Sequence, residues 1–203
     1  QQQWITRNSV VASWSNAVWN QVFAGVEGAP SEADFPQTPY TTLTRTPLSR
    51  EKPYLYLDAR GDYQVRVPAA ASDSAGTTWA SGQTPGRSVP LKDFFIAEPG
   101  VPVAEINSQL ARGRNLLLTP GVYDIARSID IRRPDTVVLG LGEPTLTAVR
   151  GAVPVVVADV PGVVVAGLTV DAGRTRSPAL MRIGAGHGNG YRGGWKATSA
   201  ANP

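Results

Sequence analysis

Apolar residues in this chain come in short runs instead of one sustained helical stripe. Past residue 115 the runs fall at 116–118, 122–125, 128–131, 136–139, 145–149, 154–158, 163–166 and 168–170. Thr119-Pro120-Gly121, Arg133-Pro134-Asp135 and the stretches 140–144 and 159–162 separate them, and clusters of Gly, Pro and Asp mark turns. Runs this short, bounded by turn residues and rich in β-branched types, predict strands. One segment differs. Val103, Ile106 and Leu110 share a face at helical spacing and Gly113 follows as a stop, which predicts a helix over 103–112.

The runs also repeat. Leu116-Leu117-Leu118 recurs 21 residues later as Val137-Val138-Leu139, and Val163-Val164-Val165 comes 26 residues after that. Twenty-odd residues with several short strands is the coil length of a parallel β-helix. Each coil is a thin ring that cannot bury its inner face alone. Stacking pairs its backbone with the coils above and below and lines the interior with aliphatic side chains. The 12 valines between residues 137 and 170 suit such stacked, pleated surfaces. An uncovered first coil would offer a bare sheet edge, and the 103–112 helix stands where a cap belongs. A β-sandwich would use longer strands with polar alternation on one face, which these continuous apolar runs lack.

Upstream the pattern changes twice. Residues 1–50 read as short strands at 4–6, 9–11 and 18–23, followed by a Pro-, Ser- and Thr-rich loop over 28–47. Trp4, Trp14 and Trp19 fall here, and tryptophan is usually well buried, so core packing is expected for them. In 51–100, residues 54–58 and 63–67 alternate with period two around Ala59-Arg60-Gly61-Asp62, a hairpin pattern. The small-residue stretch 69–88 reads as a loop. Three zones result: 1–50 as the end of one β-helix, 51–100 as a linker with a hairpin, and 101–203 as the capping helix and first coils of a second.

Composition narrows the function classes. The 203 residues include no cysteine and one histidine, His187. That excludes a disulfide scaffold and a thiolate metal site, and no cofactor or metal is expected. No apolar run reaches membrane-spanning length. The formal charge is +3, but no acidic residue follows Asp171, while Arg174, Arg176, Arg182, Arg192 and Lys196 do. The basic excess is thus a property of the tail, the body is slightly acidic, and no nucleic-acid partner is expected. The glycine-rich segment 184–194 lacks the Gly-Lys-Ser/Thr ending of a phosphate loop, and His187 reads as an exposed loop residue. The ends, without an initiating Met and in loop-like composition, read as those of an internal piece of a longer chain.

The run from Ile106 to Tyr123, with Leu110, Gly113 and Leu116-Leu117-Leu118-Thr119-Pro120-Gly121-Val122-Tyr123, resembles the entry into a right-handed, pectin-lyase-like β-helix. Together with 135–142, 165–173, Trp4-Ile5-Thr6-Arg7-Asn8-Ser9, Val18-Trp19-Asn20 and 49–54, it resembles secreted actinobacterial two-β-helix laminarinases, which are exo-acting β-1,3-glucanases. The resemblance implies two β-helices joined by a linker with a β-glucan in the cleft between them. It implies secretion and inversion at the anomeric carbon. The general acid would be a glutamate on a later coil than this chain reaches, and polar side chains of the first helix would help hold the attacking water. This chain alone is then expected to be inactive, with the rest of the parent chain packing on both open ends. The alternative is a non-catalytic polysaccharide-binding or structural β-helix module, because a fold does not fix a chemistry.

Candidate site residues follow from what sugar recognition needs. Gln3, Arg7, Asn8 and Ser9 supply amide, guanidinium and hydroxyl groups on one strand and loop, a polar row suited to sugar hydroxyls and a held water. Asp171 ends an apolar strand before Ala172-Gly173 and is a cleft-edge candidate. Asp135 and Asp159 lie 24 residues apart and could stack on neighbouring coils, although Asp beside Pro also forms turns. The catalytic groups themselves are not assigned.

Overall fold

The computed structural model describes residues 4–14, 21–30 and 40–184. The chain divides into two compact units, Gln1–Phe94 and Phe95–Pro203.

In the first unit, strands β1 (Trp4–Arg7), β2 (Gln21–Ala24) and β3 (Tyr40–Leu43) form a parallel sheet in chain order. Phe23 is fully buried there and Trp14 packs edge-on against it, ring centres 5.2 Å apart. Trp4 tilts against Trp14 but is 52% exposed, so the core role expected of it is not met. Trp19 lies outside the described residues. The strand expected at 9–11 is reduced to a single parallel bridge, Val10 to Glu27. The loop expected over 28–47 contains β3, because the β-branched Thr41 and Thr42 continue the ladder of Val22 and Phe23.

Strand β4 (Thr46–Arg50) pairs antiparallel with β7 (Ala70–Ser74), and β5 (Tyr54–Leu57), β6 (Tyr63–Pro68) and β8 (Gly86–Pro90) form an antiparallel sheet. The β5–β6 hairpin is the one the alternation predicts. The 69–88 loop expectation fails at both ends. β7 and β8 are strands because they satisfy the backbone edges of β4 and β6, which polar side chains do not prevent.

The described residues of the second unit form a three-coil parallel stack, led into by β9 (Phe94–Ala97) and one helix, α1 (Val103–Ala111). The first coil is β10 (Asn115–Leu118), β11 (Val122–Ile125) and β12 (Ile129–Ile131). The second is β13 (Val137–Gly140), β14 (Thr145–Ala148) and β15 (Val155–Val157). The third is β16 (Val164–Ala166), β17 (Thr169–Asp171) and β18 (Met181–Ile183). Corresponding strands pair in parallel, giving three sheets, with β9 beside β10 in the first.

Register departs by one residue from the triplet repeat. Leu116 pairs with Val138 and Val137 with Val164, not Leu116 with Val137. A one-residue slip would turn every side chain to the other face. The observed register keeps Leu116, Val138 and Val165 on the interior side. Leu117, Val137 and Leu139 on the opposite face are buried as well. A sheet buried on both faces reads as an unbroken apolar run, which accounts for the triplets.

α1 closes the first coil. Ile106 and Leu110 enter the interior cluster with Ile125, Ile129, Ile131 and Leu146. The predicted stop forms a Schellman motif: the Gly113 amide donates to the Leu110 carbonyl at 3.0 Å and the Arg114 amide to Gln109 at 3.1 Å, with Gly113 at φ +90°. Asn107 acts as a substitute strand. Its Nδ2 donates to the Ser128 carbonyl at 2.9 Å, and its Oδ1 accepts the Asp130 amide at 2.8 Å. The edge of β12 is thereby satisfied.

Candidate functional site

The alternation in β11, β14 and β17 turns Tyr123, Leu146 and Val170 inward and leaves two outward rows. One row is Asp124, Thr147 and Asp171, and the other is Val122, Thr145 and Thr169. Asp124, Asp171 and Thr169 are exposed, and Thr145 and Thr147 are half-buried. Neighbouring strands stand ~4.8 Å apart, so the backbones of Asp124 and Asp171 are about 9.5 Å apart across Thr147. The row offers carboxylate, hydroxyl, carboxylate in line, a set of acceptors suited to a hydroxyl-rich ligand. Asp171 also accepts the Ala172 amide at 2.8 Å, so it shapes the turn while facing outward. Asp124 and Thr147 escaped the sequence reading. Their signal was the coil spacing that aligns them with Asp171.

In the first unit the expected polar row separates. Gln3 lies outside the described residues. Arg7 is the last residue of β1 and makes a 3.2 Å ion pair with Glu51. Asn8 leaves the strand at φ +47° and is only 7% exposed. Its amide N–H donates to Ala24, and its Nδ2 donates to Ser74 Oγ at 2.9 Å, which meets Ser49 Oγ at 3.0 Å. Gly25, one coil on, takes the same left-handed conformation at φ +60°. This corner thus selects residues that tolerate positive φ, and Asn8 is turned inward to hold it. Ser9 Oγ donates to the Arg7 carbonyl at 2.9 Å. Arg7 remains on the surface, and Ser9 is half-buried.

Asp135 and Asp159 do not stack. The Asp135 amide donates to the Pro161 carbonyl at 3.0 Å, and Asp135 itself sits at φ +59° against Gly162. The coil is longer than their separation because the turn at 149–154 adds residues. Asp135 therefore has the turn role that the sequence offered as the alternative.

A hollow of about 570 Å³ opens at the third coil, lined by Val157, Val163, Val165, Leu168, Val170 and Met181. These are interior side chains of the stack, and their apolar surface gives sugar hydroxyls no partners. Among the described residues no group of three or more His, Cys, Asp or Glu could hold a metal, and no helix is long and apolar enough to cross a membrane. His187 lies outside the described residues.

Comparison with known proteins places these observations. The family model of the LAM55 pectate lyase-like domain matches residues 94–203. An exo-beta-1,3-glucanase of Streptomyces sp. (strain SirexAA-E / ActE) is 48% identical over all 203 residues, and the chain spans 32% of that relative's length. The solved structure of sacteLam55A from Streptomyces sp. SirexAA-E aligns over 91% of this chain and 33% of its own, with a TM-score of 0.85 and 50% identity. A glutamate-to-alanine variant of sacteLam55A in complex with glucose aligns equally well, with a TM-score of 0.85. The chain belongs to the LAM55 pectate lyase-like family and has its right-handed parallel β-helix fold.

Proposed function

We propose that this chain is part of a secreted exo-acting glycoside hydrolase that cleaves β-1,3-glucan with inversion. The observation that carries the reading is the match to an exo-beta-1,3-glucanase along every residue of the chain at 48% identity. The glucose complex of a sacteLam55A variant supports a glucose polymer as ligand. On this reading Gln3, Arg7 and Ser9 are the sugar- or water-contacting candidates of the first unit, and Asp171 is the sugar-contacting candidate of the second. Asn8 positions Arg7 and Ser9 through its corner. Inversion requires an acid and a water-activating base roughly 6.5–9.5 Å apart. No residue of this chain is assigned the role of the acid.

The test is glucose release by the full-length protein from laminarin and from a β-1,4-glucan. Release from laminarin alone is expected, with Asp171→Ala raising KM severalfold. Equal release from both polymers, or none from either, contradicts the proposal.

A further inference from the structure

One charged feature of the second unit is not used by a neutral glucan. Arg127, Arg150 and Arg174 each lie three residues past the register-matched trio Asp124, Thr147 and Asp171. They therefore occupy the same corner of three successive coils. The contacts on either side agree. The Val149 amide donates to the Ile125 carbonyl, a side chain at Gly173 would meet Ala148, and one at Gly151 would lie 3.6 Å from Thr175 Cγ2. Arg176 follows on the third coil. All four arginines are exposed, and among the described residues none of them makes a side-chain hydrogen bond or ion pair.

Stacked coils repeat every ~4.8 Å, so like charges recur along this corner at a spacing that is unfavourable in a sheet. Arg150 adds a local cost. It sits at φ +56° beside Gly151 at φ +74° in a turn closed by the Ala152 amide on the Val149 carbonyl. Both central residues of that turn are left-handed, a geometry that favours Asn and Gly over Arg. Three unpaired arginines at one corner, set against the two carboxylates of the adjacent row, leave this edge net positive, which favours an anionic polymer.

We propose that this arginine ladder binds an acidic polysaccharide, a polymer of uronic-acid type whose carboxylates meet the guanidinium groups. The flanking row separates this occupant from a nucleic acid. Asp124 and Asp171 repel carboxylates and phosphates alike, but they accept hydrogen bonds from the hydroxyls that a polyuronate presents along its length and a DNA backbone lacks. Among the described residues of this unit no exposed aromatic ring offers a base a stacking platform. The proposal stands on these residues independently of the hydrolytic reading.

The experiment measures binding of the full-length protein to polygalacturonate, laminarin and a short DNA duplex by calorimetry at low and high salt. It is repeated with the triple variant Arg127→Gln/Arg150→Asn/Arg174→Gln, whose unchanged circular dichroism establishes folding. Polygalacturonate binding that weakens with salt and falls about tenfold or more in the variant is the expected result. A second variant, Arg60→Gln/Arg112→Gln/Arg132→Gln, removes equal charge elsewhere and should leave binding within about twofold. No polygalacturonate binding, equal loss in both variants, or tighter binding to DNA than to polygalacturonate overturns the proposal.

Discussion

Replacing Asn107 with Leu should uncap the β-helix without emptying the site. Leu is close to Asn in size and is the better helix former, so neither cavity nor propensity opposes the change. What disappears is the pair of hydrogen bonds that lets a helix residue stand in for a strand: 2.9 Å to the Ser128 carbonyl and 2.8 Å to the Asp130 amide. Each such bond contributes ~1 kcal/mol net, and the two backbone groups it satisfies lie half-buried under α1. The loss should therefore be about 2 kcal/mol. In a 203-residue chain that corresponds to roughly 4–8 °C in the melting temperature. Amide hydrogen exchange gives the residue-level test. The Asp130 amide should exchange slowly in the native chain and rapidly in Asn107→Leu, while Asn107→Asp, which keeps the acceptor, should preserve its protection. An unchanged Asp130 exchange rate in Asn107→Leu would refute the substitute-strand role.

Other expectations follow from the same geometry. Gly173→Ala places a methyl group against the Ala148 carbonyl and should lower stability by about 1–3 kcal/mol through overpacking, measurable by urea denaturation. The Tyr123 hydroxyl donates to the Ala97 carbonyl at 2.8 Å, with the Thr119 carbonyl at 2.9 Å, so Tyr123→Phe should cost about 1 kcal/mol. Burial raises the pKa of Tyr123, and its hydrogen bonding with Thr119 opposes the rise. The neutral phenol is therefore the form the fold favours. Its contribution is complete below the ordinary tyrosine pKa and is lost as pH rises through the raised one, which spectrophotometric titration of Tyr123→Phe against the native chain would detect. Asp58 accepts the Asp62 and Arg60 amides, and these bonds hold its carboxyl below the usual range. The hairpin turn should keep its native NMR shifts as pH falls past the ordinary carboxylate range and lose them only as pH passes through the lowered pKa.

The fold was legible where burial leaves a periodic mark. The triplets 116–118 and 137–139, the α1 face and the Gly113 stop all reflect local rules. The exact register was not, because both faces of β10 and β13 are apolar and a one-residue shift leaves the pattern unchanged. Strands β7 and β8 were missed for the opposite reason: their pairing is set by the backbone of β4 and β6, and their side chains carry little hydrophobic signal. Among site residues, Asp171 was visible as the end of an apolar strand. Asp124 and Thr147 were not, since only stacking aligns them with it. Asn8 read as a polar surface group, but its left-handed corner and its bond to Ser74 are set by a coil and a strand distant in sequence.

The proposed function, part of an inverting β-1,3-glucan hydrolase, fixes the stereochemistry of the first product. Proton NMR of the first glucose that the full-length protein releases from laminarin tests it most directly. Inversion at a β-linkage makes α-glucose appear first and then mutarotate. β-Glucose as the first product, or no glucose at all, would contradict it.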